Sequence, residues 1–300
     1  QSNEKGVTNK IKSTSNIILK THWKEDYSAN GYESFNSVIE TKNGGFVCVG
    51  ESTVLDNVSL GDAIIIKYSK DGSKLWETNL LGDDTDYYTD VVEDDNGNLY
   101  AIGKTFSSNV GFVNNNNDPN AIIVKYTSSG AQDWIIDYND GGRQINFDDI
   151  VVSGNNLFIV GNKMYNGSRT SFIQICNKDD GLIQKLVHLE DINFNTNIKS
   201  IIKLADDSFL LLGNSIKKDS LEEYPLAIKV KSDGSKMWSY DLSINSNINK
   251  EGGFNSAVEL SDSTILLGGY TQDATRKSSL IVKLNKDGSV LWENIKSNNN

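Results

Sequence analysis

The sequence predicts an all-β protein built from five similar units. Two markers recur in phase along its 300 residues, and each unit has the turns expected of β-hairpins. The first marker is a tryptophan that returns every 51 to 58 residues and is replaced once by a lysine. It occupies Trp23, Trp76, Trp134, Lys185, Trp238 and Trp292. A spacing kept over this length indicates repeats of one structural unit.

The second marker is a glycine that ends an apolar run in every unit. It falls at Gly50, Gly103, Gly161, Gly213 and Gly268. Two independent markers that keep the same phase five times make chance a poor explanation. We expect the glycine to permit a close approach between strands. We expect the tryptophan to lie on the outermost strand and to cover the seam between neighbouring units.

Each unit contains four short β-rich runs, here called strands a, b, c and d. In the first unit they are SVIET, FVCVGE, AIIIKYS and KLWET. The a–b and c–d connections are short, and Asn-Gly or Asp-Gly supplies the positive φ that tight hairpin turns need. Strands b and c are almost continuously apolar, which indicates sheets buried on both faces. Such sheets can stack radially, so the sequence predicts a five-bladed β-propeller of four-stranded antiparallel blades.

The two ends of the chain are predicted to differ from the repeats. Residues 1–15 are polar and are expected to form a tail or linker, residues 16–296 a single propeller domain, and residues 297–300 a polar tail. One d-type strand, NIILKTHWKEDY at residues 16–27, is surplus because it precedes any a, b or c strand. We expect it to help close the ring by lying against the last blade near residues 289–295. The alternative is that it remains from a longer array of repeats.

The charge of the chain argues against two classes of partner. The protein has a net charge of -11 and a pI near 4.7, so it repels the phosphate backbone of nucleic acids and anionic lipid surfaces. No stretch of about 18 apolar residues is present, so no direct membrane insertion is expected. The preference for Lys over Arg, with abundant Asn and Ile, favours a low-G+C bacterial source.

The sequence predicts no cofactor, with calcium as the one ion that it allows. Asp90 and Asp149 would supply the hard oxygen ligands that calcium needs, although no loop matches the EF-hand order. The histidines, His22 and His188, lack partners at zinc-ligand spacing. The two cysteines, at positions 48 and 176, fall on different blades and are expected to be free and buried.

One unit resembles a known repeat. The run LWETNLLGDDTDYYTDVVEDDNGNLYAIGKT, residues 75–105, is similar to the bacterial β-propeller repeat of many exported and lipid-anchored proteins. The matching residues are Trp76, Gly82, Asp86, Asp94, Gly97, Asn98, Tyr100 and Gly103. The other units match less fully, and the resemblance covers about residues 16–296. It implies a propeller and an extracytoplasmic location, secreted or at the cell surface, but no particular activity.

The loops that connect the strands predict which face of the propeller binds a ligand. The a–b and c–d turns at one end are short and uniform, whereas the d–a and b–c loops at the other end are longer and dissimilar. Loops of differing content that are held on one face of a rigid scaffold form the default binding surface. We call this end of the propeller the loop face.

The a strands are expected to line the central channel, and they repeat a polar position. It is filled by Ser37, Asp90, Asp149, Ser200 and Ser256. A bulky apolar residue stands two positions earlier in each unit, as Tyr88 does before Asp90. This pattern suits a channel rim, where the apolar group packs between blades and the polar group meets water. The functional interpretation makes the polar ring, with Asp148 alongside, a site for a cation or for sugar hydroxyls.

We interpret the chain as a non-catalytic recognition or scaffold module of an exported bacterial protein. It is expected to be a monomer that binds a glycan or a protein surface through the loop face. Tyrosines near that face are candidates for stacking on sugars: Tyr32, Tyr88, Tyr165 and Tyr224. One alternative is a glycan-cleaving enzyme whose channel carboxylates stand ~5–9.5 Å apart. Another is a structural spacer in a larger surface protein.

Overall fold

Among the residues that the structure describes, twenty strands form five four-stranded antiparallel sheets, which confirms the predicted five-bladed β-propeller. The structure is a computed structural model. It describes residues 31–54, 61–108, 119–138, 144–165, 168–189, 194–218, 222–245, 251–273 and 276–296. Within each blade the strands pair in chain order from a to d, and the a strands of consecutive blades pack against each other.

The strand boundaries follow the predicted a, b, c and d runs. Blade 1 consists of β1 (Gly31–Glu40), β2 (Phe46–Val54), β3 (Asp62–Tyr68) and β4 (Lys74–Leu80). Blade 2 consists of β5 (Asp86–Glu93), β6 (Leu99–Thr105), β7 (Asn120–Tyr126) and β8 (Gln132–Tyr138). Blade 3 consists of β9 (Ile145–Ser153), β10 (Asn156–Tyr165), β11 (Ser168–Asn177) and β12 (Ile183–His188). Blade 4 consists of β13 (Phe194–Lys203), β14 (Phe209–Lys217), β15 (Glu223–Val230) and β16 (Lys236–Asp241), followed by the short helix α1 (Leu242–Asn245). Blade 5 consists of β17 (Glu251–Glu259), β18 (Ile265–Gln272), β19 (Lys277–Leu284) and β20 (Val290–Lys296).

Every a strand carries a β-bulge at the same place in the repeat. The bulged residues are Asn36, Thr89, Asp148, Lys199 and Asn255. A glycine on strand b lies beside each bulge because the backbones approach too closely for a side chain. A Cβ added to Gly103 would lie 2.0 Å from the carbonyl oxygen of Tyr87. The glycine marker therefore has the steric role expected from the sequence.

In the fifth blade, the structure corrects the predicted position of the glycine marker. Gly269, and not the predicted Gly268, pairs with Phe254 just before the bulge. A Cβ on Gly269 would lie 2.2 Å from the carbonyl oxygen of Gly253, whereas one on Gly268 would meet only the carbonyl oxygen of Ser256, at 3.8 Å. Because Gly268 and Gly269 are adjacent, the sequence pattern alone does not show which of them lies beside the bulge.

The short turns at the end opposite the loop face depend on residues with positive φ. All five c–d turns place a glycine in this conformation: Gly72, Gly130, Gly181, Gly234 and Gly288. The a–b turns of blades 4 and 5 use Asp207 and Ser263 instead, at φ values of 60° and 62°. The prediction of hairpins at these connections is thus confirmed, with two non-glycine substitutes.

The hydrophobic core is divided into layers between consecutive blades. Between blades 1 and 2, for example, Val49 and Ile65 pack with Tyr88 and Ile122, all four with no exposed surface. Equivalent clusters lie between blades 2 and 3, 3 and 4, and 4 and 5. Burial of both faces of each sheet explains the nearly continuous apolar runs in strands b and c.

The repeated tryptophan links each blade to the c–d turn of the next. Trp76 donates a hydrogen bond from Nε1 to the carbonyl oxygen of Ser128 at 3.2 Å, and its ring covers Gly130. Trp238 donates to the carbonyl oxygen of Lys286 at 3.0 Å and covers Gly288 in the same way. The expectation that this residue covers the seam between blades is therefore confirmed for Trp76, Trp134 and Trp238, whereas Trp292 is 45% exposed.

Blade 3 replaces this contact with a different one. The Nζ atom of Lys185 donates to the carbonyl oxygen of Asp233 at 2.6 Å, and the side chain of Val187 covers Gly234. A cavity of about 340 Å³ lies beside this contact, between strand β12 and blade 4. Its apolar walls include Leu189, and His188 and polar side chains also line it.

The outward faces of the first and last blades are partly open. On blade 1, Phe35 and Val38 are 42% and 62% exposed, whereas Tyr88 and Val91, at the same positions in blade 2, are 0% and 2% exposed. On blade 5 the exposed apolar side chains include Trp292, at 45%. The predicted surplus strand 16–27 and the tails 1–15 and 297–300 lie outside the described residues, so the predicted ring closure stays a prediction.

Candidate functional site

The repeated polar position of the a strands directly follows the bulge in every blade. Its residues pair with strand b at equivalent positions: Ser37 with Val49, Asp90 with Ile102, Asp149 with Val160, Ser200 with Leu212 and Ser256 with Gly268. The register expected from the sequence is therefore the observed one. Three of the five side chains are also linked in a series across blades 1 to 3, and the last of them accepts a hydrogen bond from the backbone of blade 4.

The series joins neighbouring blades through carboxyl groups. Ser37 donates from Oγ to Oδ1 of Asp90 at 2.6 Å. Asp90 and Asp149 lie side by side, because the backbone N–H of Ile150 donates to Oδ2 of Asp90 at 3.3 Å as well as to Oδ1 of Asp149. The backbone amides of Ile150 and Ile201 also donate to Asp149, at 2.8 Å and 2.9 Å. The series therefore ties the a strands of four blades together.

The two carboxyl groups of this series do not behave alike. Burial, followed by the negative charge of Asp90, raises the pKa of Asp149 well above the usual range of an aspartate. Asp149 therefore holds its proton to a higher pH than an ordinary aspartate does.

This arrangement does not suit the two chemistries that the sequence allowed for Asp90 and Asp149. A glycosidase pair needs a gap of ~5–9.5 Å between carboxyl groups, whereas these two groups lie side by side and both accept the N–H of Ile150. Calcium prefers several oxygen ligands, whereas both oxygens of Asp149 accept backbone N–H groups. Within the described ranges no group of three or more His, Cys, Asp or Glu residues could hold a metal ion.

The tyrosine candidates fall into two sets. Tyr88 has no exposed surface and its hydroxyl lies 2.6 Å from that of Tyr126, so it packs between blades and is not available to a ligand. Tyr224 is 5% exposed and its hydroxyl donates to Glu222 at 2.9 Å. The side chains of Tyr32 and Tyr165 lie outside the described part of the chain.

Asp148, the bulged residue of blade 3, is the centre of a polar cluster at the loop face. Lys199, the bulged residue of blade 4, forms an ion pair with it at 2.6 Å, and Nδ2 of Asn162 donates to its other oxygen at 2.6 Å. Burial lowers the pKa of Lys104 and the charge of Asp148 opposes this, while burial, with the charges of Glu51 and Asp148, raises the pKa of Tyr87. We call Tyr87, Lys104, Asp148, Arg169 and Lys199 the Asp148 cluster.

The Asp148 cluster stands where the loops begin and end. Tyr87 lies just after a d–a loop, Lys104 just before a b–c loop and Arg169 just after another, and Tyr87 pairs with Lys104 across β5 and β6. The sequence singled out Asp148 but missed Lys104, Arg169 and Lys199. A register count one residue earlier in each repeat would have found Lys199, since it occupies the position of Asp148 one blade later.

The described d–a loop between blades 1 and 2 is held by hydrogen bonds to Ser107, at the start of the b–c loop of blade 2. Asp86 has no exposed surface and accepts a hydrogen bond from Oγ of Ser107 at 2.9 Å. Burial raises the pKa of Asp86. A Cβ on Gly82 would lie 1.9 Å from the same Oγ atom. The Gly and Asp of the bacterial repeat pattern thus have a structural role in this loop.

Both cysteines are free, as predicted. Cys176 is buried, Cys48 is partly buried, and burial raises the pKa of both thiols. A raised pKa leaves little reactive thiolate at neutral pH, so neither thiol has the character of a catalytic nucleophile.

Comparisons with known proteins give a fold but no family. No protein-family profile matches the chain, and no curated protein matches it in sequence. An ulvan lyase structure, bound to -[GlcA(1-4)Rha3S]-, matches with a TM-score of 0.53 and 11% identity over 91% of this chain and 71% of that chain. An endo-arabinase from Bacteroides thetaiotaomicron matches with a TM-score of 0.43 and 12% identity over 86% of this chain and 96% of that chain. An endo-arabinanase from Bacillus licheniformis matches with a TM-score of 0.40 and 11% identity over 90% of this chain and 100% of that chain.

The likeness to the ulvan lyase supports the assignment to the β-propeller class. At this low identity it shows the fold alone. In the part of the chain that the structure describes, no helix has the length and apolar character needed to span a bilayer.

Proposed function

We propose that this propeller is a non-catalytic glycan-recognition module that binds through its loop face. The observation that carries the proposal is the Asp148 cluster, which combines a half-buried aromatic ring with donors and acceptors at the entrance to the channel. An aromatic face can pack against the apolar face of a sugar, while charged and amide groups bond to its hydroxyls. The ulvan lyase and the arabinanases named above are glycan-acting propellers, which agrees with this ligand class.

The state of the carboxyl groups supports binding without cleavage. Asp90 and Asp149 both accept the N–H of Ile150, and both oxygens of Asp148 are bonded to Lys199 and Asn162. No two of these three carboxyl groups therefore face each other across a gap that could hold a glycosidic bond. The cleavage of glycans remains the rival function, and a purely structural role as a spacer is the second rival.

We also propose that the protein acts outside the cytoplasm, in a secreted or cell-surface setting. The resemblance of residues 75–105 to the repeat of exported bacterial proteins supports this location. Polymeric glycans are most accessible in that compartment, so the proposed ligand and the proposed location agree.

A glycan array tests the proposal directly. The intact chain would be compared with Tyr87→Ala, and with Trp292→Ala as a control that removes an exposed aromatic ring from the outer strand of blade 5. We expect specific binding by the intact chain and the control, and a loss of about tenfold or more in Tyr87→Ala. Melting curves of all three proteins would show whether each variant is folded.

The other outcomes are equally informative. Equal binding by Tyr87→Ala would remove the Asp148 cluster from the site. The absence of binding to any glycan by the folded protein would reject glycan recognition and favour a protein partner or a spacer. Release of new reducing ends from a bound glycan would favour the glycan-cleaving alternative.

A further inference from the structure

We infer that the glycan bound at the loop face carries a carboxylate or sulfate group, held by Lys104 and Arg169. The inference rests on the proposed function and names the substrate class of the same site. It starts from an imbalance of charge within the Asp148 cluster.

The cluster holds more cations than its carboxylate can neutralise. Asp148 forms an ion pair with Lys199 at 2.6 Å and accepts a second hydrogen bond from Asn162. In the described structure neither Lys104 nor Arg169 forms an ion pair with any carboxylate. The charge of half-buried Lys104 and that of exposed Arg169 are therefore left over at the loop face, in a protein whose net charge is -11.

The position of Lys104 makes this surplus costly in the absence of a ligand. Its side chain is half-buried on β6, beside Tyr87 of β5. Burial lowers the pKa of Lys104, and the charges of Lys199 and Arg169 lower it further, while Asp148 alone acts in the opposite direction. A cation removed from water without a partner is destabilising, so the site is completed by an anion from outside the chain.

Tyr87, Lys104 and Arg169 carry functional groups that suit one anionic group on a sugar. The planar guanidinium of Arg169 can grip two oxygens of a carboxylate or sulfate at once, and the Lys104 ammonium adds a point charge. Burial, with the charges of Glu51 and Asp148, raises the pKa of Tyr87, so its hydroxyl stays protonated and can donate to the same group.

The experiment compares acidic and neutral probes on matched variants. Calorimetric titrations would use oligogalacturonate, a sulfated galactan oligosaccharide and a neutral galactan oligosaccharide. The proteins would be the intact chain, the double variant Lys104→Met with Arg169→Gln, and Lys203→Gln as a control. Lys203 is paired with Asp207 at 3.0 Å beside an a–b turn, so the control removes a positive charge from the opposite end of the propeller.

We expect at least one acidic probe to bind the intact chain and the control. We expect the double variant to lose about tenfold or more of that affinity, and binding by the intact chain to weaken as salt is added. The acidic probe should also raise the melting temperature of the intact chain but not that of the double variant. The carboxylated and sulfated probes distinguish the two sources of negative charge.

Two results would overturn the inference in different ways. If neutral oligosaccharides bind as well as acidic ones, and the double variant binds them equally, the charge is irrelevant and glycan recognition stands without it. If no probe and no arrayed glycan binds any folded version, the proposed function fails, and the inference fails with it. Because Lys104→Met removes an unpaired half-buried charge, we expect the double variant to fold.

Discussion

Asp149 of blade 3 and Asp90 of blade 2 are neighbouring carboxyl groups that both accept the backbone N–H of Ile150, at 2.8 Å and 3.3 Å. Burial and the charge of Asp90 raise the pKa of Asp149, so Asp149 keeps its proton to a higher pH than an ordinary aspartate does. The pair thus couples the packing of two blades to pH. It also explains why the channel can contain two aspartates so close together without repulsion between like charges.

The first prediction concerns this pH dependence. A carboxyl group whose pKa is raised in the folded state adds stability below its unfolded pKa, near 3.9, and that stability is lost as the pH rises through the folded pKa. The propeller should therefore lose stability from about pH 4 upward. Asp149→Asn should lessen this loss and raise the melting temperature at pH 8 by on the order of 2 °C. Thermal melts at a series of pH values would measure both effects.

A control is needed because the protein is acidic as a whole. Asp179→Asn removes one exposed carboxylate from a c–d turn, and it reports how far lower net charge alone changes the melting temperature. If both variants shift the pH profile equally, net charge and not the Asp90–Asp149 pair controls it. That result would contradict the prediction that the proton on Asp149 controls the pH dependence of stability.

The second prediction tests the close approach at the bulges. Gly103→Ala would place a Cβ 2.0 Å from the carbonyl oxygen of Tyr87, whereas Gly268→Ala would meet its nearest neighbour at 3.8 Å. We expect the first substitution to lower the free energy of unfolding by about 1–3 kcal/mol and the second to change it little. Chemical denaturation of the two variants would measure the difference. Similar losses in both variants would show that the register of the strands around the bulge is wrong.

The sequence predicted the blades well because their markers report contacts that every repeat must make. Trp76 needs a turn glycine beneath its ring, and Gly103 needs a bulge beside it, so both recur in phase. The register of Ser37 and Asp90 followed from the same phase. These features depend on contacts within a repeat or between consecutive repeats, which the pattern itself encodes.

The site was less predictable because it depends on distances between blades. The sequence placed Asp90 and Asp149 at one position of the repeat, but it did not show that their carboxyl groups lie side by side. It offered Tyr88 as a ligand contact, although the apolar position that Tyr88 occupies points between blades. Lys104 and Arg169 follow no repeated pattern, so only the folded arrangement brings the charges of Asp148, Lys199 and Arg169 to bear on Lys104.

The third prediction compares two copies of the repeated tryptophan. Trp238 donates a hydrogen bond to blade 5 and covers Gly288, whereas Trp292 is 45% exposed. We expect Trp238→Ala to lower the free energy of unfolding by about 3 kcal/mol, within the range for large core truncations, and Trp292→Ala to lower it far less. Denaturation curves would give both values. A large loss in Trp292→Ala would mean that the outward face of blade 5 is covered in solution.

The last prediction places Trp23, which lies outside the described residues. The turn glycines Gly130, Gly181 and Gly234 are each covered by the outer strand of the preceding blade. Gly72 is buried as well, although no earlier blade is described, and so are Ile64 and Ile66 on the same side of blade 1. Because Trp23 precedes Trp76 by one repeat, we expect it to cover Gly72 and to donate to the carbonyl oxygen of Lys70. Trp23→Ala should then destabilise the fold more than Trp292→Ala does.

Cross-linking distinguishes this placement from the one near the last blade. If residues 16–27 lie on blade 1, an amine-reactive reagent should join Lys24 to Lys70. If they lie along residues 289–295, it should instead join Lys24 to Lys296 on blade 5. Links to Lys296 alone, together with an unchanged melting curve for Trp23→Ala, would reject the contact with Gly72. Links to Lys70 would show that the surplus strand extends the repeat across the first blade, because each tryptophan then covers the turn of the blade that follows it.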